Sequence, residues 1–304
     1  MPKRAHPGVA EEMFETSARR YPPTELRIFP SDRPAEMPLY AALEIKGECA
    51  LITGATAGIG EACAWRFAEA GCKCVLVGRR AERLDALKAE LEAKFPGAVH
   101  KCVQLDVCEL DKVAALPAEL KAAGYEVDIL VNNAGLALGA STADTNVVAE
   151  VVTMMSTNVT SLIAMTSAFV PGMKERSRGH LINIGSIAGH ESYPGGSVYC
   201  ATKHAVTAFT TAARHDLVAT PVRVTCISPG MVNTEFSTVR FGDKDKADKV
   251  YENIEPLVGA DIADQVIYAA TRPRHVQVAD IVCYCTNQSA AKSIARVGPS
   301  LGAA

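Results

Sequence analysis

The sequence predicts a doubly wound α/β fold: one parallel sheet of about seven strands with helices on both faces. Three observations carry this. From Glu48 onward, short apolar runs alternate with longer amphipathic stretches. That alternation is the mark of strands buried on both faces and joined by crossover helices. The first apolar run leads straight into the glycine-rich turn Thr53–Gly60 and then into a helical pattern. No composition break follows Glu48, so the pattern belongs to one domain.

The elements follow in order. Cys49-Ala50-Leu51-Ile52 is apolar without alternation, as a strand covered on both sides requires. Gly58 to Ala70 reads as a helix opened by the glycine turn. Cys74-Val75-Leu76-Val77 is the second strand, and Ala81 to Lys94 a charged helix. Val99 to Leu105 is the third strand, Asp111 to Ala122 a helix, and Asp128-Ile129-Leu130-Val131 the fourth strand. A long helix is expected from Val147 to Met173. His180 to Ile184 is the fifth strand, Val198 to Ala219 a helix, Val222 to Ile227 the sixth strand, and Ile281 to Tyr284 the seventh. The core domain is therefore 47–289, with an N-terminal extension 1–46 and a tail 290–304. The extension is rich in proline and balanced charge and has no sustained apolar period. Its acidic residues are unlike an arginine-rich transit peptide.

At 304 residues the chain can bury a sizeable core, and 48% of it is hydrophobic. A net charge of −3 argues against an electrostatic grip on nucleic acid or membrane. No run of about 18 uncharged apolar residues is expected. The ten cysteines form no C-x-x-C pair, which suits buried thiols in a reducing, cytoplasmic setting and no metal site.

Glycines in Thr53-Gly54-Ala55-Thr56-Ala57-Gly58-Ile59-Gly60 let backbone approach a pyrophosphate, and the new helix turns its free N–H groups toward that anion. The sheet is thus of Rossmann type. The second strand ends at Arg79-Arg80, where an acidic residue would accept from a ribose 2′-hydroxyl. Two arginines suit a 2′-phosphate, so NADP is expected over NAD, with Thr56 adding a hydroxyl.

Tyr199 and Lys203, four apart, lie one helical turn from each other. A nearby ammonium lowers a phenol's pKa. Reaching ~7–8 from ~10 takes ~3–4 kcal/mol of phenolate stabilisation. Ser186, thirteen positions before Tyr199, follows the fifth strand and is placed to hold the oxygen whose proton moves.

The Gly-x-x-x-Gly-x-Gly spacing, with Ser186, Tyr199 and Lys203 in that order, resembles the short-chain dehydrogenases/reductases from about Glu48 to Gln288. The resemblance implies that Asp106-Val107 holds an adenine. It implies that Asn133, Ala134 and Gly135 line the cofactor, that Pro229, Gly230 and Val232 pack near the nicotinamide, and that Thr234 bonds its carboxamide. It implies that Asn158 widens its helix and relays protons through a water. Tyr199 and Lys203 then also touch the cofactor.

Three stretches resemble the NADP-dependent 3-hydroxy acid (serine or L-allo-threonine) dehydrogenases: Leu130–Gly139, Asn183–Gly189 with Tyr193-Pro194-x-Gly196, and Thr234–Phe241. That implies hydride transfer at C3 of L-serine, L-allo-threonine, 3-hydroxyisobutyrate or 3-hydroxypropionate, and reduction of malonic semialdehyde. A substrate carboxylate needs a cation, and Arg240 is the candidate, with Tyr193 and the Phe236 region lining the pocket and His190 either lining it or standing in the loop on its rim. The resemblance also implies a homotetramer built on the two longest helices. The alternatives are a carbonyl reductase of ketoacyl, steroid or quinone substrates, with a wide apolar cleft, or a non-catalytic NADP(H) sensor.

Overall fold

The computed structural model describes residues 42–298. The expected extension up to residue 41, and the expected tail beyond residue 298, lie outside the described residues. Residues 42–46 lie on the body: Ile45 is buried in its core and the Leu43 N–H donates to Thr271 O at 2.7 Å.

Seven strands form one parallel sheet: β1 (Cys49–Thr53), β2 (Lys73–Gly78), β3 (Lys101–Gln104), β4 (Ile129–Asn132), β5 (Gly179–Ile184), β6 (Val222–Pro229) and β7 (Asp280–Cys283). Their order across the sheet is β3-β2-β1-β4-β5-β6-β7. β1 pairs with both β2 and β4, so the order in which strands are added across the sheet reverses beside it and a crevice opens at the carboxyl ends of β1 and β4.

Alternate side chains of each strand feed two cores, as a period of two requires. Ala50, Ile52, Cys74 and Leu76 face α1 (Gly58–Glu69) and α2 (Ala81–Lys94), whose Phe67, Leu84 and Leu91 are fully buried. Leu51, Val75, Val77 and Leu130 face α3 (Leu110–Ala122) and the helix that follows β4. That helix is continuous from Val148 to Glu175 as α4 (Val148–Met155), a π-helical turn (Ser156–Thr160) and α5 (Ser161–Glu175). α6 (Ser197–Asp216) completes this face.

Three helices were not expected from the sequence: α7 (Glu235–Phe241), α8 (Lys244–Val250) and α9 (Gly259–Ala270). α9 adds Ile262 and Val266 to the first core. The helix Val148–Glu175 also corrects an expectation. It contains an 18-residue window of mean hydropathy 1.3, apolar and long enough by composition to cross a membrane. Its inner face, with Met165, Phe169 and Met173, is spent on the sheet. Its outer face leaves Val148 74%, Val152 58% and Ile163 36% exposed.

Burial pushes the thiols of Cys49, Cys63 and Cys72 up to about 12, because a thiolate loses its hydration there. They act as small core hydrophobes, as their strand and helix positions led us to expect.

Candidate active site

One cavity of about 620 Å³ lies over the carboxyl edge of the sheet, within the size range of cofactor and substrate sites. The turn after β1 forms its floor. Gly54 (φ +68°) and Gly58 (φ +60°) hold left-handed backbone that other residues adopt at a cost, and Gly54, Thr56, Ala57, Gly58 and Ile59 line the cavity. Gly60 does not line it. A Cβ there would run into the Gly54 carbonyl and the Asn133 amide, so glycine lets α1 close on the turn. Gly60→Ala is expected to weaken both fold and cofactor binding, costing ~2 kcal/mol or more by overpacking. A thermal melt and a cofactor titration check this.

Asn133, after β4, fixes the turn. Its amide donates to Thr53 O at 2.9 Å and Gly54 O at 3.3 Å, while Thr53 Oγ1 accepts from the N–H groups of Asn133 and Ala134. Ala134 and Gly135 then run along the cavity wall. At the end of β3, Asp106 and Val107 line the far end, and Asp106 Oδ1 accepts from Cys108 N.

Arg79 and Arg80 emerge from β2 at the same end. Arg80 donates to Thr56 Oγ1 at 2.7 Å and pairs with Glu235 at 2.8 Å. Arg83, four beyond Arg79 on α2, pairs with the other Glu235 oxygen at 2.7 Å. These two arginines hold the Glu235 carboxyl below the usual carboxylate range. Arg83 was not expected from the sequence; it does not line the cavity and meets its wall only through Glu235. Two guanidinium groups and a threonine hydroxyl beside a glycine cradle fit a dinucleotide carrying a 2′-phosphate.

The opposite half of the cavity carries the acid–base groups. Ser186 leaves β5 and caps the short turn Ile187–Gly189, its Oγ accepting from Ala188 N at 3.1 Å. It stands close enough to the Tyr199 phenol to oppose its upward shift. Tyr199 and Lys203 project from α6 into the cavity. Lys203 Nζ donates to Ile184 O at 2.9 Å and lies 5.9 Å from the centre of the Tyr199 ring.

The electrostatics correct a simple expectation. Burial drives the Tyr199 phenol well above its ordinary range, with Ser186 opposing. Burial also lowers Lys203 to about 8. Lys203 points its ammonium at a carbonyl, and the cation that opposes the phenol's upward shift is Arg240, which desolvation outweighs.

Asn158 sits in the π-helical turn, fully buried and outside the cavity lining. Its Oδ1 accepts from Leu136 N at 2.8 Å, and its amide donates to Leu136 O at 2.8 Å and Thr202 Oγ1 at 3.0 Å. The helix is widened there, and Asn158 ties the β4 turn to α6.

Pro229, Gly230, Val232 and Thr234 line the cavity after β6. Thr234 caps α7, accepting from Phe236 N at 3.2 Å, and its methyl touches the Gly58 turn. Phe236 packs edge-on against Tyr199, with ring centres 5.6 Å apart. Arg240 lies with its guanidinium carbon 5.9 Å from the Tyr199 ring and donates to Gly139 O, Gly195 O and the Tyr193 hydroxyl. His190, expected either in the pocket beside Tyr193 or in the loop on its rim, is not among the lining residues. Its Nε2 lies 2.9 Å from Ser228 Oγ and 3.4 Å from the Asp280 carboxylate, which draw the ring onto β6 and β7. Lys292, from the tail, also lines the cavity, and no local pattern in the sequence marked it.

Comparison with known proteins agrees with this geometry. The family model described as short chain dehydrogenase matches residues 48–245. An NADP-dependent 3-hydroxy acid dehydrogenase of Schizosaccharomyces pombe is 42% identical over 83% of this chain and 98% of that protein. One of Salmonella typhi is 49% identical over 79% of this chain and 95% of its own length. The closed form of a serine dehydrogenase complexed with NADP+ superposes with a TM-score of 0.76 at 46% identity, covering 79% of this chain and 96% of that one. With the glycine turn, the serine and the tyrosine–lysine pair gathered on one sheet edge, the chain belongs to the short-chain dehydrogenase family.

Proposed function

We propose that this NADP-dependent oxidoreductase transfers hydride at C3 of small 3-hydroxy acids, among them 3-hydroxypropionate, 3-hydroxyisobutyrate, L-serine and L-allo-threonine, and reduces malonic semialdehyde. The observation that carries the substrate class is Arg240. Its guanidinium stands 5.9 Å from the Tyr199 ring, on the cavity wall, and all three of its bonds go to neutral oxygens. An arginine has five donors, so two stay available for a carboxylate beside the reacting carbon. The names of the relatives from Schizosaccharomyces pombe and Salmonella typhi support the same class.

Bound NADP+ supplies the hydride acceptor. Gly54, Thr56, Ala57, Gly58 and Ile59 cradle its pyrophosphate side. Arg79 and Arg80 meet the 2′-phosphate, and Asp106 and Val107 border the adenine. Asn133, Ala134, Gly135, Pro229, Gly230, Val232 and Thr234 enclose the nicotinamide side. Ser186 holds the substrate hydroxyl, and Tyr199 takes its proton as general base. Lys203 supplies positive charge beneath the phenol. Asn158 keeps the turn after β4 in register with α6 and borders a proton path toward solvent.

Assay of a 3-hydroxy acid panel with NADP+ and then NAD+ tests this reading. Turnover of 3-hydroxypropionate or L-serine with NADP+ is expected. Activity confined to apolar ketones would overturn it. Arg79→Ala with Arg80→Ala is expected to cut NADP+ over NAD+ preference about 100-fold, as two charge-assisted contacts at ~1.4 kcal/mol each imply. The ratio of kcat/KM for the two cofactors measures it.

The chain is proposed to act as a homotetramer. The exposed apolar face of Val148, Val152, Met155 and Ile163 on the long helix is the surface a second copy would cover.

A further inference from the structure

The two carboxylates that line the cavity both lie on its cofactor side. Asp106 is bound by Cys108 N near Arg79, and Glu235 is held between Arg80 and Arg83. The substrate side is lined instead by Lys203, Arg240, Lys292 and Arg296. Among the described residues, no carboxylate pairs with Arg240, Lys292 or Arg296. Arg296 spends itself on the carbonyls of Glu252 and Val250. Arg240 and Lys292 remain, and both address Tyr193.

The guanidinium carbon of Arg240 is 6.0 Å from the centre of the Tyr193 ring, and Lys292 Nζ is 5.0 Å from it. Arg240 also reaches the Tyr199 ring, whereas Lys292 is one station further from the reacting phenol. The turn that presents Lys292 is anchored. Ala291 N donates to Glu191 Oε1 at 2.7 Å, Ser289 N to Ser293 O at 3.0 Å, and Ala295 N to the buried Asn287. Glu191 is therefore turned to the backbone and not to the ammonium. Two cations held on one ring without an anion make a second anionic group on the ligand favourable, since each gains a charge-assisted bond.

We propose that the cleft takes a 3-hydroxy dicarboxylate, with Arg240 on one carboxylate, beside Tyr199, and Lys292 on the other. This rests on the 3-hydroxy acid reading above and extends it. The two cations lie at most about 11 Å apart, since both stand on one ring, and charge-assisted bonds take up ~2.8 Å at each end, so the chain that joins the two carboxylates has at most about five carbons. The chemistry is unchanged. The C3 hydroxyl gives its proton to Tyr199, the C3–H bond breaks with its electron pair leaving as hydride to NADP+, and the products are the 3-keto diacid, NADPH and a proton.

The test compares 3-hydroxyglutarate with its monomethyl ester and with 3-hydroxybutyrate. All three have the same secondary carbinol, and the full-length enzyme is assayed with NADP+. The diacid is expected to show a KM about tenfold below either singly charged compound, the worth of one charge-assisted contact. Lys292→Met should raise the diacid KM by that factor with kcat unchanged and leave the 3-hydroxybutyrate KM where it was. Lys292→Arg should restore the diacid KM. Equal KM values for diacid and ester would overturn the proposal. So would a Lys292→Met effect shared by all substrates, which would mark a general field on the cofactor. Turnover of 3-hydroxypropionate without turnover of 3-hydroxyglutarate sinks the dicarboxylate reading alone. Turnover of neither, with apolar ketones reduced, sinks the 3-hydroxy acid reading and this one with it.

Discussion

Tyr199→Phe is expected to lower kcat by about 10³-fold or more while leaving NADPH affinity within about twofold. The lost oxygen is the one that faces Ser186 and would exchange the proton with substrate. The ring itself is retained, with its edge-on contact to Phe236 and its place beneath Arg240. Removing a buried hydroxyl whose ionisation burial already opposes is expected to cost the fold little. The cofactor contacts expected from the glycine turn and the arginines are untouched. A fluorescence titration with NADPH, beside a turnover assay, separates the two effects. Turnover near the wild-type rate would refute the assignment of Tyr199 as base.

Lys203→Met is expected to abolish turnover and yet raise stability. In the folded chain burial holds the ammonium's pKa at about 8 against an ordinary 10.5. That depression corresponds to a cost on the order of 3 kcal/mol for carrying the charge at pH 7. Methionine fills similar space without the charge, but it strands the Ile184 carbonyl, which offsets ~1 kcal/mol. A net gain of about 2 kcal/mol follows. The sign with pH is fixed: the folded pKa lies below the unfolded one, so the wild-type penalty is full below about 8 and fades as pH rises toward 10.5. The variant's advantage should therefore shrink across that window. Denaturant melts of both proteins at pH 7 and pH 10 measure it. A variant less stable than wild type at pH 7 would show that the lysine's hydrogen bond outweighs its desolvation.

Both predictions concern residues that a spacing of four on one helix already singled out. Their chemistry was legible because it is local: a helix puts i and i+4 side by side whatever surrounds it. The glycine turn was legible for the same reason, as strand, turn and helix follow each other without a gap. Arg79 and Arg80 needed only the end of β2. The helices after β6 were less legible. α7 and α8 are short and polar, and their helicity depends on caps at Thr234 and Asp243 and on packing.

Placement across long separations was decided elsewhere. Arg240 was a candidate by segment alone. The fold ties it to Gly139, Tyr193 and Gly195, more than forty positions away, and thereby aims it beside Tyr199. His190 stood next to the expected pocket in sequence, and Ser228 and Asp280 pulled it off the cavity. The phenol's direction of shift reversed because burial is a property of the packed cleft and not of the Tyr-x-x-x-Lys pair. Lys292 reached the substrate side only because buried Asn287 and Gln288 bring the tail back over β6. The sequence by itself thus determined the sheet, the cofactor turn and the acid–base pair, since periodicity and short spacings encode contacts made within one or two turns of chain. The tertiary structure alone decided which charges meet the substrate and how far burial shifts their protons, since those depend on groups that only folding brings within a few ångströms.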